Sequence, residues 1–218
     1  MSKIKSKPGR TPRLWPPDIL YLSKPVISTY ITTQDLELLN TSSSNTPSIR
    51  QTTGPCARVK IAPIHNSNHP AKGQNGLFAT LHLEAGTFLL FYLGFVHGKA
   101  DTDPNSDYDL SLDRELGIGI DATKMGNEGR FINDYRGITS TGPNCEFKEV
   151  WVEIGKGLTE KRMAIYVLPT GKSGKRAQGI EKGEEILVSY GKGFWNERNS
   201  DRNHNKTEVL RGTTTSSP

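Results

Sequence analysis

The residues from Met125 to Asp134, M-G-N-E-G-R-F-I-N-D, gather groups that can hold a polar, planar ligand. Gly126 and Gly129 flank Asn127 and Glu128 and let the backbone turn tightly. Arg130, Phe131, Ile132, Asn133 and Asp134 follow, alternating polar and apolar. An asparagine offers a donor and an acceptor, which matches an adenine edge. A phenylalanine offers a stacking face. Pro143-Asn144-Cys145 comes just after. A solvated β-turn with one buried Phe would account for the same residues, because short motifs recur by chance. The segments around them have to decide.

A chain of 218 residues suffices for one sizeable core. The apolar fraction is 33% and glycine and proline are plentiful, which fits a loop-rich β-domain with polar tails. No apolar run approaches a membrane span, and M-S-K-I-K-S-K lacks the apolar region of a secretory signal. Cys56 and Cys145 are the only cysteines, so a disulfide framework is not expected and a reducing, intracellular compartment suits the chain. The formal charge is +5, and Lys3, Lys5, Lys7, Arg10 and Arg13 account for all of it. The pI is thus a property of a basic tail. Such a tail is either a solubilising terminus or a contact for phosphates or a nuclear address.

Residues 1–13 read as a disordered basic tail, and 14–55 as an N-terminal extension and linker. Within the extension, Thr32 and Asp35 cap a short helix through Leu36 and Leu39. Strands are expected at 57–61, 108–112, 117–121 and 186–191, with a hairpin pairing 147–154 and 162–168. The apolar run from Gly86 to Gly98 reads as a buried strand broken or bulged at Gly94. Residues 73–79, G-Q-N-G-L-F-A, read either as a turn or as a glycine pair that lets a ligand approach the backbone. His65 and His69 have a spacing that binds metal on a helix, but Pro63 and Pro70 favour a surface loop instead. Pro169 to Gln178 reads as a solvated basic loop. Beyond residue 196 a polar tail is expected. A doubly wound nucleotide fold, a G-x-S-x-G element and a phosphate loop are all missing.

Four segments now stand in order: G-x-x-G-L-F-A at 73–79, Y-L-G at 92–94, G-N-E-G-R-F-I-N at 126–133 with P-N-C at 143–145, and G-E-E-I-L-V-S-Y-G at 183–191. Together they resemble the SET domain of protein lysine methyltransferases, over residues 56–195. The resemblance implies a mainly β fold of small curled sheets with few short helices and a threaded C-terminal segment. It implies S-adenosyl-L-methionine as cofactor and a protein lysine as acceptor, with histones among the candidate proteins. By the same resemblance, Gly76, Leu77 and Phe78 cradle the cofactor. Arg130, Phe131, Asn133 and Asp134 form the cofactor strand, with Asn133 reaching the adenine. Tyr190 matches the catalytic tyrosine, and Tyr92 borders the transfer channel. Phe147 and Val188 fall where the family restricts the lysine pocket, and the small Val188 would permit higher methylation.

Some departures from the family pattern are visible. Asp134 stands where the family commonly has His, and residues 134–142 lengthen the following loop. The cysteine clusters that often bind zinc beside a SET domain are missing, so no metal is expected. Phe194 and Trp195 are candidates to cover the adenine in their place. A catalytically silent SET-like binding module is the alternative reading. A chromatin adaptor that contacts nucleic acid through the basic tail is a further one. No membrane association is expected, and the location is nuclear or cytoplasmic, with the nucleus slightly favoured.

Overall fold

Short strands dominate the computed structural model, which describes residues 11–41, 49–50, 54–155, 157–169 and 179–191. The chain divides into two units, Met1–Val188 and Ser189–Pro218. The first unit contains, in chain order, β1 (Leu20–Tyr21), β2 (Val26–Ile27), helix α1 (Thr33–Asn40), β3 (Ile49–Arg50), β4 (Val59–Pro63), β5 (Asn75–Ala79), β6 (Phe88–Phe91) and β7 (Phe95–His97). After these come β8 (Asp109–Asp113), β9 (Ile118–Asp121), β10 (Met125–Gly126), β11 (Asn133–Asp134), β12 (Cys145–Gly155), β13 (Leu158–Val167) and β14 (Leu187–Val188). Single 3-10 turns occupy Lys99–Asp101 and Glu128–Phe131. In the second unit, the backbone N–H of Gly191 donates to Ser189 Oγ at 3.3 Å.

The expected hairpin forms the longest ladder, β12 with β13, running from Cys145↔Val167 to Gly155↔Leu158. It places Val150 and Val152 in the core by alternation, whereas β13 is buried on both faces, taking Met163, Ala164, Ile165 and Val167 into the core. The Gly86–Gly98 run is broken where expected: β6 ends at Phe91, and β7 begins after Tyr92-Leu93-Gly94. β6 joins the β13 sheet, whereas β7 joins β9 in a different one. Helix α1 starts where the sequence indicates. Thr32 Oγ1 accepts the Asp35 N–H at 3.0 Å, satisfying one of the orphan donors of the first turn.

The expectation of curled sheets is corrected. Among the described residues there are two four-stranded sheets, β3-β12-β13-β6 and β2-β7-β9-β8, and three two-stranded ladders, and none closes on itself or curls strongly. Outside the β12–β13 hairpin the ladders pair only two to five residues each, few over which twist can accumulate into curvature. Residues 184–188 join the β4–β5 ladder to β11. Three further readings differ. Residues 73–79, read as a turn or as a glycine pair open to a ligand, contain β5, which pairs with β4 from Val59↔Ala79 to Pro63↔Asn75. The final strand is confined to Leu187–Val188. The N-terminal extension is bound into the first unit, with β1 beside β10 and β2 beside β7.

Candidate functional site

Three segments far apart in sequence meet at residues 184–188. On one side, the Ile186 N–H donates to Leu77 O at 2.8 Å and the Ala79 N–H donates to Glu184 O at 2.9 Å. On the other side, β14 runs parallel to β11, pairing Asn133↔Leu187 and Asp134↔Val188, and the Tyr135 N–H donates to Val188 O at 3.0 Å. Asn144, from Pro143-Asn144-Cys145, clamps the same stretch. Its Nδ2 donates to Glu185 O at 2.7 Å, its Oδ1 accepts from Leu187 N at 2.8 Å, and its own N–H donates to Leu187 O at 3.0 Å. Residues 77–79, 133–135 and 144 are thereby held on one short strand.

Glu185 lies at the centre of this junction. Its Oε1 accepts from Asn133 Nδ2 at 2.8 Å, and its Oε2 lies 3.0 Å from His69 Nε2. Its side chain is 11% exposed and that of His69 is 5% exposed. Gly76 faces the carboxylate: a Cβ there would sit 2.7 Å from Glu185 Oε1 and 3.0 Å from Phe78 Cε2. A glycine is needed at this point because a carboxylate occupies the space of a side chain. Leu77 is fully buried and Phe78 is half-buried. Gly76, Leu77, Phe78, Asn133 and Asp134 are therefore brought together, and Glu185 and His69 join them.

The carboxylate of Asp134 is engaged by Arg136. Its Oδ1 accepts from the Arg136 N–H at 2.8 Å, and its Oδ2 pairs with Arg136 Nη1 at 2.7 Å. Asp134-Tyr135-Arg136 is thus a self-neutralising turn, in which the acid replacing the family's histidine has its own cation.

Arg130 and Phe131 precede β11 by one turn of 3-10 helix. Both are buried in the 3-10 turn Glu128–Phe131. Arg130 Nε donates to Ala122 O at 2.9 Å, and the guanidinium lies 4.3 Å from the centre of the Tyr108 ring. Phe131 meets Trp15 edge-on, with ring centres 5.7 Å apart, and Trp15 meets Tyr21 in the same way at 5.0 Å. These side chains pack the 126–133 segment against the N-terminal extension. Asn127 and Glu128 also point inward. Asn127 Nδ2 donates to Phe91 O at 2.7 Å, and its Oδ1 accepts from Leu93 N at 3.1 Å, fixing the backbone on both sides of Tyr92. Glu128 accepts from Cys56 N at 2.8 Å and from the Tyr21 hydroxyl at 3.1 Å. Burial, reinforced by the Glu128 charge, pushes the Tyr21 phenol well above its ordinary 10.0. Cavities of about 670 and 200 Å³ meet at Pro55, Cys56 and Glu128, and neither is walled by Asn133 or Glu185.

Tyr92 is buried, donates its hydroxyl to Tyr108 O at 2.6 Å, and meets Phe147 edge-on at 5.7 Å. Val188 is fully buried. Tyr190 belongs to the second unit and is half-buried. Trp195 and Phe194 lie outside the described residues, as do residues 1–10 of the basic tail and residues 170–178 of the basic loop. Both cysteines are free thiols, and burial pushes the Cys145 thiol well above its ordinary range. Among the described residues no group of three or more His, Cys, Asp or Glu is arranged to hold a metal ion. None of the described helices is long and apolar enough to cross a membrane.

Glu185 and His69 are the two members of the cluster that the motif reading did not single out. Glu185 belongs to G-E-E-I-L-V-S-Y-G, in which only Val188 and Tyr190 are given roles by the resemblance. His69 was read with His65 as part of a surface loop. The loop does lack a helix, and His65 is exposed, but His69 is buried.

A SET-domain family profile matches residues 74–191, more than half of the chain. The chain belongs to the SET-domain family. The family span contains Gly76, Tyr92, Asn133, Asn144, Glu185 and Tyr190. Among solved structures, this SET protein is similar to the polycomb repressive complex 2 of Chaetomium thermophilum, at 24% identity and a TM-score of 0.45, over 63% of this chain and 16% of that one. It is also similar to a structure described as ctPRC2 in an autoinhibited conformation bound to S-adenosylmethionine. That match has 25% identity and a TM-score of 0.47, over 69% of this chain and 17% of that one. The chain therefore spans less than a fifth of these structures' length. No curated protein matches the sequence.

Proposed function

We propose that this SET-family chain is an S-adenosyl-L-methionine-dependent protein-lysine N-methyltransferase. The observation that carries the reading is the junction at residues 184–188, where Gly76, Asn133 and Glu185 meet inside the matched family span. Gly76 sets its backbone directly beside the Glu185 carboxylate, with no side chain between them. Asn133, half-buried, keeps a donor and an acceptor for a purine edge. These features fit an adenosyl group with a charged amino-acid end.

When bound, the cofactor would supply a methyl group on a sulfonium. The protein's task is to deliver a neutral amine in line with it. A lysine of pKa near 10.4 costs roughly 4–5 kcal/mol to hold neutral at pH 7. Tyr92 and Phe147, with their rings edge-on, support an apolar channel that disfavours the ammonium by desolvation. Val188 is small and buried, consistent with a pocket that accepts more than one methylation. Tyr190 is assigned the hydroxyl that holds the amine, and alignment supplies most of the rate enhancement. Arg130 and Phe131 are assigned to the wall behind the cofactor strand. Trp195 is assigned to cover the adenine, so Trp195→Ala should weaken cofactor binding.

The acceptor is a protein lysine, and histones are one candidate class. A nuclear site of action agrees with that class. The catalytically silent binding module has one observation in its favour, the replacement of the family histidine by Asp134. Methyl transfer separates the two readings. Transfer to histones or other lysine-rich proteins, detected by mass spectrometry and abolished in Tyr190→Phe, supports the enzyme. A folded chain that binds the cofactor and transfers nothing to any of them favours the module.

A further inference from the structure

We propose that the open edge of β4 is a docking site for a partner protein, which adds an extended segment of alternating acidic and apolar residues to the sheet as a further strand. The site stands apart from the cofactor junction, at the other edge of the β4–β5 ladder.

The bonds at the two ends of that ladder fix where the backbone groups of β4 point. The Thr80 N–H donates to Arg58 O at 2.9 Å, and the Ile64 N–H donates to Gln74 O at 2.8 Å. In an antiparallel ladder every second residue bonds to the partner strand. Residues 58, 60, 62 and 64 therefore bond toward β5, and Val59, Ile61 and Pro63 turn their backbone groups the other way. β5 shows the same alternation on its far side. Leu77 and Ala79, the partners of Ile61 and Val59, bond outward to Ile186 and Glu184, so that edge is filled. At the β4 edge, the Val59 N–H turns back to Cys56 O at 3.2 Å. Among the described residues no strand pairs with β4 there, which leaves Val59 O and both backbone groups of Ile61 open.

An open strand edge is a template for another strand, and folded proteins normally cover or blunt it. Here it borders the groove of about 670 Å³, whose opposite wall is formed by residues 11–14. That wall is anchored by Trp15, whose Nε1 donates to Ile19 O at 2.6 Å and whose ring packs edge-on against Tyr21 and Phe131. Leu14 lines the groove, is 50% exposed, and has a φ of 65°, a left-handed conformation disfavoured for a leucine. Strained residues of this kind gather at ligand clamps.

The charges decide the occupant. Lys60 on β4 and Arg13 on the far wall are exposed, and among the described residues neither takes part in an ion pair. Glu128, the acid in the lining, is 2% exposed, and its carboxylate accepts from Cys56 N and the Tyr21 hydroxyl. Both walls therefore present positive charge to solvent. Val59 and Ile61 are buried on one face of β4, and Lys60 lies on the other. An added strand is favoured when acidic residues stand beside Lys60 and apolar residues beside Val59 and Ile61. The chain's own first ten residues do not meet that need. They hold Lys3, Lys5, Lys7 and Arg10 and no acid, and would set like charge against like. A second copy pairing edge to edge would bring its own Lys60 to the groove.

The test uses the full chain and a capped peptide, acetyl-Glu-Val-Glu-Val-Glu-amide, with acetyl-Lys-Val-Lys-Val-Lys-amide as control. In the free chain, NMR hydrogen exchange should be faster at Ile61 than at Lys60, whose N–H faces β5. With free acidic peptide at about ten times its Kd, exchange at Ile61 should slow about tenfold. The acidic peptide should bind at least about tenfold more tightly than the basic one. Replacing both exposed cations, Lys60→Glu with Arg13→Glu, should reverse that order. The inference is overturned if a folded chain fails to bind the acidic peptide up to about 1 mM. Equal binding of the two peptides, or binding that leaves Ile61 exchange unchanged, overturns it as well. So does an Ile61 amide already protected in the free chain. Protection independent of protein concentration would mean that the chain itself fills the edge, and protection that grows with concentration would mean a second copy.

Discussion

Gly76 and Glu185 share a space that admits no added methyl group. An alanine at 76 would put its Cβ 2.7 Å from Glu185 Oε1 and displace the carboxylate from Asn133. Gly76→Ala is expected to cost about 1–3 kcal/mol of stability, as overpacking of a closed site does. It should also weaken S-adenosylmethionine binding, and urea unfolding beside calorimetry reads both effects. The lysine–acid pairing at the far end of the hairpin is a contrasting case. Burial works against the Lys161 charge, but Glu149 and Asp113, at 2.7 and 2.9 Å, outweigh it and raise its pKa. That arrangement holds β13 to the strand carrying Asp113 and has no place in the proposed chemistry.

At the scale of elements, the fold depends on short segments laid against one another by side-chain clamps. Asn144 supplies two side-chain hydrogen bonds to residues 185–187, and each is worth about 0.5–1.5 kcal/mol net. Asn144→Ala should lower stability by roughly 1–3 kcal/mol. It should also raise amide exchange at Leu187, whose N–H donates to Asn144 Oδ1. The N-terminal extension is clamped through Tyr21, whose hydroxyl donates to Glu128. A phenol with a raised folded-state pKa stays protonated in the fold after the unfolded chain has begun to ionise. Its contribution is therefore constant below the ordinary value of 10.0 and falls as pH rises above it. Tyr21→Phe should lower stability at neutral pH by about 1–3 kcal/mol, since Glu128 loses a partner. Its stability should also decline less steeply than that of wild type above about pH 10. Thermal unfolding across that range measures both.

For the whole molecule, the order of four motif segments already pointed to the SET family, and the residues of β12, β13 and α1 were legible from alternation and capping. What the sequence concealed were contacts between residues far apart in the chain. His69 and Glu185 are 116 positions apart, and nothing local to either announces the other. The same applies to Tyr21 and Glu128, 107 positions apart, and to the parallel pairing of β1 with β10. Arg130 and Phe131 were legible as motif members, but the packing of the Arg130 guanidinium on Tyr108, 22 positions earlier, was not. Curled sheets were implied only by the family resemblance, since no local residue pattern encodes curvature, and none of the described sheets closes or curls strongly. The basic residues before Leu14 give the whole chain its positive charge. If they contact nucleic acid, deleting residues 1–13 should abolish a salt-dependent affinity.

The central claim is that the junction of Gly76, Asn133 and Glu185 holds S-adenosylmethionine. Calorimetric titration of the purified chain with that cofactor, beside Asn133→Ala, tests it most directly. Micromolar binding in wild type, lost in the variant, is the expected result. No heat of binding from a folded wild-type chain, or binding unchanged in Asn133→Ala, would contradict it.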